Sequence, residues 1–248
     1  MNSSKPEISK ESIIKLLDDI VQNFLTETSK ITFDKYNLQH LYLMCLYGRI
    51  VELGVSALNL MKANDHAGIP IILRAQLEAF IDFANLVEDK DFIKTITATF
   101  IDQKKRLYKN LEKHLDPSEI PPVTDDGTEK ASKEYKPQSI RKRFENIKLE
   151  KTYVTAYFIL CNYAHNNLAM LENSHLEITE GNHKVVFFKE EPFAIFWRFA
   201  MTLGATLVDS HKILMNFFDK LLEETTQNVC SQFSKMREDG KHLFLNED

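Results

Sequence analysis

Residues 66–88, HAGIPIILRAQLEAFIDFANLVE, leave the chain little choice of fold. At helical spacing, Ile72, Leu73, Ala75, Leu77, Ala79, Phe80, Phe83, Ala84, Leu86 and Val87 cover roughly two-thirds of the wheel. What remains is a narrow polar stripe of Arg74, Glu78, Asp82 and Asn85, at i, i+4, i+8 and i+11, with Ile71 and Ile81 inside it. A helix this apolar must be covered on several sides, so other helices have to pack around it. The stripe is then either its solvent window or a polar seam inside the protein, where charge has to be paired and hydrogen-bonded.

The rest of the chain supplies those neighbours. Only seven glycines and seven prolines interrupt 248 residues, so long helices are expected. Ser9 is placed to cap a helix over 9–29, with Ile13, Leu16, Leu17, Ile20, Phe24 and Leu25 on its apolar face. Thr32 or Asp34 can cap the next helix, which runs to about residue 62. After a turn at Asn64-Asp65, Asp65 can cap the central helix, and Pro70 falls in its first turn, where a missing N–H costs little. Asp89 can start a further helix that reaches about Leu115. Residues 116–137, rich in proline and polar residues, read as an exposed mobile loop. A short basic helix from Ser139 follows, then a mostly apolar helix over 151–173.

Residues 175–188 read as a small β-hairpin turning at Gly181-Asn182, expected to lean on the helices because two strands alone are marginal. Pro192 starts a long helix carrying Trp197, Phe199, Leu203, Leu207, Ile213, Leu214 and Phe217. Its more polar end, residues 223–248, reads as a helical tail or partner-binding segment. The sum is an all-α fold: one domain over 1–248, an up-and-down bundle of long helices with an inserted hairpin.

Composition narrows the function classes. A net charge of −5 is that of an ordinary soluble surface, not of a dedicated nucleic-acid binder, although a local basic patch is compatible with it. Cys45, Cys161 and Cys230 are far apart and form no CxxC pair, which points to reduced thiols rather than a disulfide framework or zinc site. The opening MNSSKPEISKES lacks the apolar core of a signal peptide, and no apolar run reads as a bilayer span. A cytoplasmic address without membrane contact is expected. Phosphate-binding glycine loops, HExxH and GxSxG are absent, and no carboxylate-plus-ExxH pattern supports a di-iron bundle, so neither a cofactor nor a metal is expected.

Four polar constellations stand out. Arg49, Glu52, Ser56 and Asn59 form one stripe on the helix before residue 62. If it faces the Arg74 stripe across the helical hairpin, Glu52 comes level with Glu78 and about one turn, ~5 Å, from Arg74. A Glu52–Arg74–Glu78 cluster with Arg49 nearby would then be a register-fixing salt-bridge network, an exposed ladder or an anion site, since arginine suits bidentate phosphate recognition. Asn162, His165 and Asn166 in NYAHNN, with Thr155, share one side of an otherwise apolar helix. A histidine there is either a hydrogen-bonded interior residue or a general acid/base. Arg237 and His242 match a short Rx4H spacing of HEPN ribonucleases, with Gly240 inside it. Arg141, Lys142 and Arg143, with Lys136 and Lys148, read as a solvated basic face that can also steer a phosphate.

Two of these segments look familiar together. ILRAQLEAFIDFANLVED resembles an LxRxxxEaxxxxxyL segment, and SIRKRFENIKLEKTYVTAYFILCNYAHNN resembles sIrxxaxxxgxxxxYxxxYxxlSxxvH. Both occur in this order in the bacterial family catalogued as domain of unknown function 5677. The matched positions are Arg74, Glu78, Tyr153, Tyr157 and His165, over roughly residues 35–220. The usual serine three residues before the histidine is Asn162 here, which weakens any serine-nucleophile reading. The helical layout of the family is similar to HEPN-like bundles, many of which cleave RNA in toxin–antitoxin and phage-defence systems.

Three readings follow. In the first, the chain is an HEPN-like stress or phage-defence protein acting on RNA or a nucleotide. It would be a metal-independent ribonuclease, with Arg74 on phosphate, His165 as acid/base and Glu78 orienting the arginine. In the second it is a non-enzymatic module, and the same residues form a buried network while the C-terminal helix mediates homodimerisation or binds a protein partner. In the third, Tyr157, Phe158 and Trp197 line a small-molecule site. The exposure and separation of Arg74 and His165 discriminate between the first two. The two helices are expected to pack side by side, each satisfying the other's polar patch.

Overall fold

The computed structural model describes residues 8–119, 136–165, 167–179, 182–187 and 189–244. They form a helical bundle of α1 (Lys10–Thr28), α2 (Leu38–Lys62), α3 (Ile69–Glu88), α4 (Phe92–His114), α5 (Ile140–Asn146), α6, α7 (Leu168–His175), α8 (Phe193–Phe217) and α9 (Glu224–Asp239). Helix α6 is composite: Glu150–Thr152, a π-helical turn over Tyr153–Tyr157, then Phe158–Ala164. A two-stranded antiparallel hairpin, β1 (Leu176–Thr179) with β2 (Asn182–Val185), lies between α7 and α8. Most of the loop expected to be mobile, residues 120–135, lies outside the described residues.

Helix α3 occupies the centre, packed against α2, α8, α6, α5 and α4. Its apolar surface is buried as the wheel predicts, with Leu73, Phe83 and Leu86 fully enclosed. The α2–α3 contact has a simple cause. A side chain at Gly54 would collide with Gln76, and Gln76 donates from Nε2 to the Ile50 carbonyl at 3.1 Å. The bare backbone at Gly54 therefore lets the two helices approach closely enough for that bond.

Several boundaries differ from the expected ones. Asn37, not Thr32 or Asp34, caps α2, accepting from the Gln39 and His40 N–H groups. Gly68 rather than Asp65 precedes α3, and Asp91 rather than Asp89 precedes α4. The helix expected over 151–173 is two helices, because the chain leaves α6 at His165 and Asn167 caps α7. Thr179 pairs with Asn182, so Asn182 belongs to β2 rather than to the turn.

The C-terminal segment is not a protruding tail. The chain reverses at Phe218-Asp219, with Asp219 at φ 50°, and α9 packs back on α1. Two close approaches seat it. A Cβ at Gly204 would overlap the Phe233 ring, and one at Gly240 would overlap Trp197. Helix α2 is long and apolar enough to cross a membrane by length and composition, contrary to the expectation that no segment is. In the fold it buries Leu43, Tyr47, Ile50, Ala57 and Met61 within the bundle.

Candidate functional site

The polar stripe of α3 divides into two halves with different surroundings. Its C-terminal half is a seam. Arg143 Nη1 reaches both Asp82 oxygens, at 2.8 and 3.0 Å, and Arg143 Nη2 donates to Thr99. Buried Asn85 donates to the Ile81 and Arg143 carbonyls and accepts from Asn146. Burial pushes the Asp82 carboxyl up, against the pull of Arg143 beside it. Arg143 therefore docks α5 on α3 instead of forming a solvated basic face. Its neighbours Arg141 and Lys142 do face solvent and share Glu145.

The N-terminal half of the stripe is half-open and meets α6. Arg74 Nη2 lies 3.1 Å from Glu78 Oε1, one turn along the same helix. Its Nη1 lies 3.2 Å from His165 Nε2, and its Nε donates to the Tyr157 hydroxyl at 3.4 Å. The Tyr157 hydroxyl in turn donates to Glu78 Oε1 at 2.6 Å, while the guanidinium sits over the tyrosine ring, 5.7 Å from its centroid. Arg74 thus has a fixed position: a carboxylate on one side, a phenol beneath, an imidazole beyond.

Local sequence explains this placement. Tyr157, Cys161 and His165 recur every four residues, so they share one face of α6. Tyr157 closes the π-helical turn, and π-turns often sit at functional sites because the extra residue re-aims the side chains that follow. Its ring packs on Tyr153 and Phe144 and is only 4 % exposed, so the hydroxyl is the floor of the site. Burial, and then the bond to Glu78, raise the Tyr157 pKa, so the phenol remains a donor. The Tyr157 hydrogen bond, together with Glu78, holds the Arg74 guanidinium above its ordinary pKa against partial burial. The side chain of Arg74 is 30 % exposed and that of Glu78 39 %, and His165 is exposed. An arginine N–H donating to Nε2 requires that nitrogen to be the acceptor, which selects the neutral ring with its proton on Nδ1.

Other expected members are elsewhere. Arg49, Glu52, Ser56 and Asn59 are all exposed on the outer face of α2. Among the described residues no ion pair joins Glu52 to Arg74, because α2 meets α3 through Ile50, Gly54 and Gln76 and turns its polar stripe to water. Asn162 is half-buried on α6, and Asn166 lies outside the described residues. Glu78 does not face His165; Arg74 stands between them. Arg237 lies in the last turn of α9, whereas His242 is in the following 3-10 turn, bonded to the Asp239 carbonyl, so the helix ends inside that spacing. Trp197 is fully buried while Phe158 is 55 % exposed, so the aromatic trio lines no common surface. Among the described residues no group of three His, Cys, Asp or Glu side chains is placed to hold a metal.

One network had no signal in the sequence. Glu27 on α1, Tyr47 on α2 and His211 on α8 meet in the core. His211 Nε2 is 2.7 Å from Glu27 Oε2, and its Nδ1 is 2.7 Å from the Tyr47 hydroxyl. Phe24 stacks on the imidazole at 3.9 Å, and Glu27 Oε1 accepts the Glu223 N–H just before α9. Burial lowers the His211 pKa despite the adjacent carboxylate. Burial alone would raise the Glu27 pKa, but its hydrogen-bonding neighbours, His211 first and the Glu223 N–H among the others, outweigh burial and hold it below its ordinary value. The neutral ring donates to Glu27 and accepts from Tyr47.

The model of a family described as "family of unknown function (DUF5677)" matches residues 40–184, more than half of the chain. The matched segment contains Arg74, Glu78, Tyr157 and His165. No curated protein and no solved structure matches.

Proposed function

We propose that this protein, which belongs to the DUF5677 family of unknown function, is a phosphodiester-directed protein of the HEPN-like type, acting on RNA or a nucleotide without a metal. The observation that carries the reading is the 3.2 Å contact between Arg74 and His165 in a half-open setting. A permanently cationic fork and an imidazole, side by side and reachable from solvent, are what attack on a phosphodiester requires. Glu78 and Tyr157 hold the guanidinium in place from below.

In the absence of ligand, Arg74 occupies the His165 lone pair. A phosphate oxygen competes for the same guanidinium N–H and is the stronger acceptor, so phosphate binding releases Nε2 as a base. Substrate binding and exposure of the base are then one event. A bacterial cytoplasmic role in stress or phage defence is in keeping with this chemistry.

The test is direct. Purified protein is offered single-stranded RNA and transfer RNA, with and without a chelator. The expected result is cleavage that survives chelation and is lost in His165→Ala. Equal cleavage by wild type and His165→Ala, or none by either while both fold normally, removes the ribonuclease reading and favours a non-enzymatic interaction module.

A further inference from the structure

The hairpin has two unlike faces. The register pairs Leu176 with Val185 and Ile178 with His183, and it pairs Glu177 with Lys184 and Thr179 with Asn182. Successive strand residues alternate sides, so one face carries Leu176, Ile178, Val185 and His183 and the other carries the opposite-charge pair Glu177 and Lys184. Such alternation belongs to a sheet with one covered face. Here that face is bare: Ile178 is 66 % exposed, Val185 59 %, and Phe187 just beyond it 76 %. Leu168 and Leu171, on the helix that runs into β1, are exposed as well. The hairpin does not lean on the bundle as expected; β2 is exposed along its whole length.

We propose that this apolar face is covered by the same face of a second copy of the chain, giving a two-fold dimer. Ile178, Val185 and Phe187, together with Leu168 and Leu171 on the adjoining helix, expose apolar surface that sums to the order of 500 Å², comparable with the biggest patch on an ordinary monomer. Two copies face to face bury about 1,000 Å², the area at which a specific interface begins. Self-association also fits the charge pattern. Glu177 and Lys184 lie on the opposite side and offset each other, and His183 is the only titratable side chain among the paired residues of the apolar face. An isologous contact therefore brings no like charges together beyond that histidine. The segments outside the described residues make poor alternatives as covers: residues 1–7, 120–135 and 245–248 are mostly polar. The proposal is independent of the catalytic reading, since it uses none of Arg74, Glu78, Tyr157 or His165.

Sedimentation equilibrium of the 248-residue chain, from roughly 1 to 100 µM, tests it. The expected mass is twice 28.8 kDa, falling to 28.8 kDa in the double variant Ile178→Glu, Phe187→Glu, which sets like charges against each other across the two-fold. The single variant Phe187→Glu, at a residue that touches little, replaces it if circular dichroism shows the double variant misfolded. Leu221→Lys, 92 % exposed and far along the chain, should leave the dimer intact. A wild type that is monomeric throughout overturns the proposal. So does a dimer that survives Phe187→Glu unchanged, since the copies would then meet elsewhere.

Discussion

The protein contains two clusters made of the same three side-chain types. In one, Glu27, His211 and Tyr47 converge from three helices into the dry centre of the bundle. In the other, Glu78, His165 and Tyr157 surround Arg74 at a half-open seam between α3 and α6. The difference is one arginine and access to water. With no cation beside it among the described residues, the buried carboxylate is compensated by hydrogen bonds, and the side-chain polar atoms of Glu27, Tyr47 and His211 all have partners within the protein. With Arg74 present, the guanidinium supplies more donors than its neighbours use, and solvent reaches the group. The same chemistry fastens helices in one place and leaves a cation and a base reachable in the other.

The comparison can be broken by mutation. The largest effect belongs to the open cluster: on the proposed ribonuclease reading, Arg74→Ala should lower RNA cleavage about 100- to 10,000-fold, and Arg74→Lys should restore only part of it, because an ammonium cannot act as a fork. If Arg74→Lys were fully active, the arginine would be serving as a simple charge. Next is His211→Ala, expected to destabilise by about 3–5 kcal/mol in urea unfolding, since it strands a buried carboxylate. Arg143→Ala, which removes the ion-pair partner of Asp82, a side chain only 18 % exposed in the intact pair, should cost about 2–3 kcal/mol by the same measurement.

The pH dependence separates the clusters further. His211 has a folded pKa below 6.5, so the unfolded chain takes up the proton more readily. Its contribution to stability is present at neutral pH and is lost as pH falls through 6.5. Glu27, also lowered, adds a second loss in the same direction as pH falls through and below 4.5. The urea midpoint should therefore drop on acidification, and His211→Gln should flatten the upper part of that curve. The smallest effect is Arg74→Ala on stability, under about 1 kcal/mol, because the Arg74–Glu78 pair is screened by solvent. A large loss there would make the open cluster structural and undo the contrast.

What the sequence revealed follows from the same physics. Helix α3 is apolar over most of its wheel and α6 over most of its own, each with one narrow polar patch. Their pairing, and so the Arg74–His165 contact, could be read from the cost of burying a polar patch against hydrocarbon. Glu52 could not be placed, because an amphipathic α2 has a polar stripe whether or not that stripe faces another helix. Its true contact runs through Gly54 and Gln76, a glycine and a buried amide that no periodicity marks. Arg143 was hidden by its company: three consecutive basic residues read as one surface, yet a helix turns about 100° per residue and points one of them inward. The buried cluster left no trace, because its members are separated by long stretches of chain and each sits on an otherwise ordinary helix. The reversal at Phe218-Asp219 was likewise silent, which turned a packed helix into an apparent tail.

Trp197 is the only tryptophan of the chain, and the backbone of Gly240 rests directly on its indole. That arrangement makes the molecule its own optical gauge. Whether the last helix is seated can be followed from the emission colour of a single natural fluorophore, with no label attached. A red shift at denaturant concentrations where the far-ultraviolet helical signal is still complete would report α9 lifting away before the remaining bundle melts.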